Sequence, residues 1–579
     1  MRFVDTSNLR TRFDERVSMQ DGTELSCDLY LPSEPGSFPV LIERTPYDNN
    51  RTPQAQGSGG SLGGRRGDFP PREPPAELYK LLAAHGYLVI ACDVRGRGDS
   101  DGAFEPFRHE ATDGAATIAW ALALPESNGR AAMFGTGYAG FCAWAAASER
   151  PDGLVTLASS GPFGAPFLGL PSRGGAWRLD WLFWMHLVGG RLLQPPDLPV
   201  WRDAWTSLPI RDLDDAIGHA GLPWKSWLEH PSRDDFWAPL ELAGKLAGLE
   251  IPALHLGGWW DEQMTATRYY WDAMQRSPAA ARQRLLVGPW DHAGLSRPQP
   301  GLGGYYFGPR SAVDVHEVLL EWFDEQLRSV AAPPRQQVRV FTTGLNEWQE
   351  LPAWPPQVDE LTLWLSSTGR ANTSLGDGEL RTTAPGSAEV ADSYTYDPQL
   401  PVPLQPGFAS FSRDEPALVT LDQTFAEYRD DCLCYTSGPL TEPLAVLGVP
   451  RLLLWSATDG PGTDWVAAVS DVFPTGGSLH LCHAIRRQDI EEGPGPGRFG
   501  CHELEFGDIA HEFQAGHRIR LLVTSSLFPL YARNLNTDEP FSTATAIRRA
   551  EQRVGHGVTE PSRLLLPVHW AGPPGSRLP

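Results

Sequence analysis

A chain of 579 residues exceeds one ordinary hydrophobic core, and at roughly 150 residues per domain three or four domains are expected. Apolar residues make up 41% and charged residues 21%, a globular composition that excludes wholesale disorder, collagen and a coiled-coil rod. The formal charge of −23 repels phosphate backbones and argues against a nucleic-acid partner.

No stretch approaches the ~18 uninterrupted apolar residues of a membrane helix, so no membrane association is expected. Residues 1–7 carry no apolar core or cleavage pattern of a secretory signal. Seven scattered cysteines, an odd number, suggest no disulfide framework, and a reduced, cytoplasmic protein is the expectation. Cys432-x-Cys434 and the pair Cys482, His483 have strand spacing rather than C-x-x-C spacing, so neither a metal nor a cofactor is expected.

Residues 1–150 alternate short buried-strand runs (39–43, 87–92, 131–135) with a helical stretch at 115–124, the βαβ rhythm of a parallel sheet covered by helices. From about 165 to 245 the strand signals stop. Trp177, Trp181, Trp184 and Val188 fall at helical spacing in a Trp- and Pro-rich segment. Strands resume at 253–257 and 284–288, and an amphipathic helix at 314–328 closes the unit.

Beyond Ala331-Ala332-Pro333-Pro334, short alternating strands such as 338–341 and 518–523 run to the end, with one helix-period stretch near 543–553. The expected architecture is an α/β domain (1–164 and 246–335) with a helical insertion (165–245), followed by a C-terminal all-β sandwich (336–579).

In α/β-hydrolases the nucleophile sits on a sharp strand-to-helix turn, G-x-S-x-G, whose close packing demands glycines. The corresponding turn is Gly135-Thr136-Gly137-Tyr138-Ala139-Gly140, and its apex is Gly137. Thr136 should point away from the apex side, Cys142 lies further along the helix, and Ser159 and Ser160 end the next strand. None takes the apex position. The three lysines, Lys80, Lys225 and Lys245, stand on no motif.

Further motifs follow in order: Arg44-Thr45-Pro46-Tyr47-Asp48, Asp93-Val94-Arg95-Gly96-Arg97-Gly98-Asp99-Ser100, Gly258-Trp259-Trp260-Asp261 and Gly288-Pro289-Trp290-Asp291-His292. Gly369-Arg370-Ala371-Asn372, Tyr394-Thr395-Tyr396-Asp397-Pro398 and Arg533-Asn534-Leu535-Asn536-Thr537 complete the series. In this order and spacing the chain resembles the cocaine esterase / X-prolyl dipeptidyl-peptidase (CocE/NonD-type) family nearly end to end.

The resemblance implies a hydrolase domain, a helical lid and a jelly roll. It also implies Asp261 as triad acid, His292 as triad base, and Tyr47 and the Tyr138 amide as oxyanion donors. The family's serine falls on Gly137, and glycine has no side-chain oxygen with which to form an acyl-enzyme.

A His–Asp dyad beside two oxyanion donors is still a general-base site. The leading expectation is non-hydrolytic chemistry: C–C bond formation, Michael-type addition, cyclisation or elimination on a large aromatic or polyketide-type intermediate. An ester or amide hydrolase using water directly, or one whose serine was removed by mutation, is one alternative, and an inert ligand-binding relative is another. Asp261 also has a bland reading as a helix cap. The 21 Trp offer stacking surface, with Trp260, Trp290, Trp177, Trp181 and Trp184 as candidate pocket residues, although lid packing is the heavier reading of the 177/181/184 stripe. The expected partner is a small molecule, with self-association left open.

Overall fold

Ten strands form the central sheet in a computed structural model that describes residues 5–49, 75–194, 197–330, 335–403, 421–488 and 493–569. The sheet strands are β1 (Arg10–Ser18), β2 (Glu24–Leu31), β3 (Phe38–Thr45), β4 (Leu88–Asp93), β5 (Ser127–Thr136), β6 (Leu154–Ser160), β7 (Ala253–Gly258), β8 (Arg284–Gly288), β9 (Val338–Thr342) and β10 (Glu347–Leu351). Their order is β1-β2-β4-β3-β5-β6-β7-β8-β9-β10. The seven strands from β4 across to β9 run parallel, and antiparallel strands finish both edges.

Central strands are buried on both faces, which is why 87–92 reads as a continuous apolar run. One face carries α2 (Glu110–Leu122), α3 (Tyr138–Ser148), α5 (Met264–Gln275) and the cap; the other carries α1 (Pro75–Ala84) and α6 (Val315–Arg328). The Asp314 carboxylate caps α6 by accepting the amides of His316 and Glu317, so the helix starts where the sequence places it.

Two boundaries differ from the sequence reading. The sandwich does not begin at 336: Val338–Thr342 is the last parallel strand of the hydrolase sheet, and Glu347–Leu351 hairpins back onto it. A short strand after a proline-rich stretch carries no mark of which sheet it joins. The helix-period stretch near 543–553 contains instead the strand Ala550–Gly555, which pairs with Asp392–Tyr396 and Arg451–Thr458. Its buried–exposed alternation fits a sheet, and tertiary pairing overrides the helical preference of Ala, Arg and Glu.

The cap is built from short helices, including α4 (Asp180–Leu187). The remaining chain is a 13-stranded sheet folded as a β-sandwich. It shares its core with the hydrolase domain, in which Trp259, Trp260 and Trp271 pack with Leu363 and Val446. Indole N–H groups bond across this boundary: Trp260 to the His480 carbonyl at 3.0 Å and Trp271 to the Trp354 carbonyl at 3.1 Å. No helix among the described residues is long and apolar enough to cross a membrane.

The expectation of unpaired cysteines fails at one place. Cys27 on β2 and Cys92 on β4 sit opposite each other with Cα atoms 4.1 Å apart and form a disulfide. Residue spacing does not reveal strand register, and register made this pair. The other five cysteines are free thiols. The linker at 331–334 and the loop at 57–67 lie outside the described residues.

Candidate active site

The parallel strands deliver their C-terminal ends to one edge, where α/β folds carry their sites. There β5 ends at Thr136, Gly137 turns the chain at φ +62° and ψ −119°, and α3 starts at Tyr138. The flanking glycines are required by packing. A Cβ on Gly135 would lie 2.5 Å from the Ala139 Cβ, and one on Gly140 would lie 2.8 Å from the Ser159 hydroxyl. The turn is thus a nucleophile elbow in backbone. A Cβ on Gly137 would lie 3.1 Å from His292 Nε2 and 3.3 Å from Phe163 Cε1.

His292 follows β8 and Asp261 follows the neighbouring β7. His292 Nδ1 donates to Asp261 Oδ1 at 3.1 Å, and the same oxygen accepts the Gln263 amide at 2.9 Å. This bond holds the Nδ1 proton on the Asp261 side and leaves the Nε2 lone pair facing Gly137. The helix that follows starts at Met264, so Asp261 precedes its cap residue, Gln263, and orients the imidazole.

Asp261 is buried, whereas the His292 side chain keeps 21% exposure, enough to meet a ligand. Burial pushes His292 down, but the Asp261 carboxylate, with Asp291 behind it, overcomes that and lifts its pKa above the ordinary histidine value.

The Tyr47 hydroxyl accepts the Trp184 indole N–H at 3.0 Å, bringing the tyrosine under α4 of the cap. The Tyr138 phenol points the other way, donating to Glu110 Oε1 at 2.8 Å and accepting the Phe107 amide. Only the backbone of Tyr138 is therefore offered to the site, at the first turn of α3, where helix N–H groups lack intrahelical partners.

Of the five tryptophans expected at the pocket, Trp184 and Trp181 are near it. Both pack on Phe163, at 5.5 and 4.9 Å between ring centroids, and Phe163 packs on His292 at 6.0 Å. The rings of the other three pack on other partners. Trp177 stacks on Phe541 of the sandwich, Trp260 on Phe307, and Trp290 donates to the Ser311 carbonyl beside Trp348. Large aromatics next to a catalytic motif also bury the most area at domain boundaries.

Sequence reasoning missed Phe163 and Gly161. At Gly161 (φ +45°) any Cβ would lie 2.4 Å from Asp261 Oδ2. Their signal was position alone, directly after the C-terminal end of β6. Two of the residues considered as substitute nucleophiles are turned away. The buried Cys142 thiol faces Glu110 and is pushed up by burial, and the Ser159 hydroxyl donates to the Gly140 carbonyl.

Comparison with known proteins places this geometry. Residues 21–294 match the X-Pro dipeptidyl-peptidase (S15 family) model, and residues 330–565 match the X-Pro dipeptidyl-peptidase C-terminal non-catalytic domain. Cocaine esterase of a Rhodococcus species is 31% identical over 95% of this chain and 97% of its own. The chain belongs to the cocaine esterase / X-Pro dipeptidyl-peptidase family.

Two solved structures of similar build are an aminopeptidase from a marine sediment Thaumarchaeota archaeon (25% identity, TM-score 0.83) and an α-amino acid ester hydrolase (27%, TM-score 0.82). Each covers 98% of both chains. The cocaine esterase / X-Pro dipeptidyl-peptidase family is one of esterases and peptidases, and this member carries glycine at the apex of its elbow.

Proposed function

We propose that the site is a general-base centre that works on a carbonyl substrate without an acyl-enzyme. The observation that carries this reading is that a Cβ added at Gly137 would lie 3.1 Å from His292 Nε2, so the imidazole faces the apex of the elbow. The imidazole is aimed at a place where, among the described residues, Gly137 supplies no oxygen, so the proton it removes comes from water or from the substrate. Tyr47 and the Tyr138 amide are the donors for the developing oxyanion.

Family membership makes an ester or amide the first substrate class, with His292 activating water for direct attack. General-base catalysis contributes roughly 10²–10⁴-fold and one oxyanion donor about 3 kcal/mol, which suits an activated ester better than an amide.

A second reading is proton abstraction from the substrate, leading to C–C bond formation, addition or cyclisation. It is favoured by the apolar aromatic wall that Phe163, backed by Trp181 and Trp184, sets beside the base.

Incubation with a fluorophosphonate and with p-nitrophenyl esters tests both readings. No covalent adduct in intact-protein mass and no burst are expected, whereas a stoichiometric adduct overturns the proposal. Turnover of an ester without a burst, lost in His292→Ala and reduced in kcat more than in KM by Tyr47→Phe, supports direct water attack. Gly137→Ser places a side chain at φ +62°, at a cost of about 1–2 kcal/mol, and asks the imidazole to give by a few tenths of an ångström. If the elbow is otherwise competent, this variant takes the fluorophosphonate label that the parent protein does not.

A further inference from the structure

The motif Asp93 to Ser100 touches none of the dyad residues, yet its side chains are spent in an unusual way. Gly96 (φ +73°) and Gly98 (φ +49°) fold the chain so tightly that a Cβ on either would collide with Phe104 backbone or the Asp93 carboxylate. This fold turns the Arg97 guanidinium inward, fully buried. Arg97 Nε donates to the Pro46 carbonyl at 2.7 Å, and its Nη1 donates to the Val188 carbonyl at 2.8 Å.

Pro46 immediately precedes Tyr47, and Val188 caps the C-terminus of α4, the helix that carries Trp184. Trp184 in turn donates to the Tyr47 hydroxyl. The guanidinium also packs on Phe104, which abuts Trp184.

Other bonds converge on the same two segments. Asp93 Oδ1 accepts the Asn49 amide at 2.9 Å, pinning the chain just after Tyr47. The Gly98 amide donates to the Arg191 carbonyl, and Arg191 donates back to Ser100. The loop of Tyr47 and the end of the cap helix are therefore held by one buried cation. A guanidinium suits this task because its planar donors reach two carbonyls in a fixed geometry, which an ammonium does not.

We propose that Arg97 is the positioning residue for Tyr47, clamping the oxyanion donor to the docked cap. This rests on the reading of Tyr47 as that donor. With the clamp intact, the Tyr47 hydroxyl and the Trp184 indole meet, and the oxyanion site is complete only when α4 is seated. Without it, the Tyr47 loop and the cap move independently, and the donor is misplaced while His292 and Asp261 stay put.

The test uses the full chain labelled with 3-fluorotyrosine, and p-nitrophenolate as a stable oxyanion. Tyr47→Phe assigns the Tyr47 fluorine resonance. Arg97→Gln is expected to shift that resonance and weaken p-nitrophenolate at least fivefold, with Arg97→Lys weaker on both counts. Adding Tyr47→Phe to Arg97→Gln should cost no further affinity. If Arg97→Gln does not fold, Arg97→Lys carries the same two readouts.

A Tyr47 resonance unmoved in the Arg97 variants, or one that moves only with every other tyrosine, overturns the clamp. Additive losses in the double variant do the same. If the unsubstituted protein does not bind p-nitrophenolate, the oxyanion reading falls instead, and the Tyr47 resonance alone decides the clamp.

Discussion

In the proposed chemistry His292 is the base, and its titration is set by its neighbours. Burial alone would depress the imidazole, but Asp261 and Asp291 outweigh it, and the pKa ends above 6.5. The base is the neutral form, so kcat/KM should rise with pH through a single ionisation above 6.5. Removing the charge in Asp261→Asn should move that limb to lower pH and lower the plateau on the order of 10³–10⁴-fold, because the amide also permits the wrong tautomer. A limb that stays in place after Asp261→Asn would mean the titrating group is not His292. Gly137, Asp261 and His292 were legible in the sequence because each stands on a short motif. Phe163 and Arg97 were not, since their roles come from what lies across from them.

At the scale of elements, adjacent strands do what separate motifs cannot. The neighbours β7 and β8 bring Asp261 and His292 together from 31 residues apart. The pair β2 and β4 brings Cys27 to Cys92 from 65 residues apart. Closing a loop of that length in the unfolded chain contributes up to about 4 kcal/mol in the chain-entropy picture. Alkylation of the denatured protein should therefore modify five thiols without reductant and seven with it, and reduction should lower the melting temperature. Seven modified thiols without reductant would show that the strand pair stands without its bridge. The helical rhythm near 543–553 and the strand at 338–342 show the opposite limit. Both are short, and which sheet a short strand joins depends on partners far off in the chain, such as Leu285 for Val338 and Asp392 for Val554.

For the whole molecule, the interfaces carry as much as the domains. Trp259, Trp260 and Trp271 share one core with the sandwich, so calorimetry should give one unfolding transition rather than separate ones for the two domains. Two resolved transitions would contradict a common core.

Within the sandwich, buried His556 bridges two carboxylates, with Nδ1 2.8 Å from Glu389 and Nε2 3.0 Å from Asp392. Ser367, Tyr435 and the Ala371 amide also donate to Asp392. Burial pushes His556 down, but the bonds to Asp392 and Glu389 more than offset it, so the folded pKa lies above 6.5. That stabilisation is fully present below the unfolded value and is lost as pH rises through the folded one. His556→Gln should thus cost about 3 kcal/mol at pH 6 and clearly less at pH 9, read by denaturant unfolding at both. An equal loss at the two pH values would show that the bridge is not cationic.

The amino-acid sequence by itself determined the family, the three textures of the chain, the elbow with its empty apex, and the residues of the dyad. All of these are local patterns: apolar runs of strand length, glycines where backbones must touch, and an Asp and a His each placed just after a strand. Only the tertiary structure decided that three of the five candidate tryptophans serve interfaces. It alone paired Cys27 with Cys92, carried the hydrolase sheet on to Leu351, and turned Arg97 toward Pro46 and Val188. Those outcomes depend on register, on which face a side chain meets and on distances between segments far apart in the chain, none of which leaves a mark in the spacing of residues.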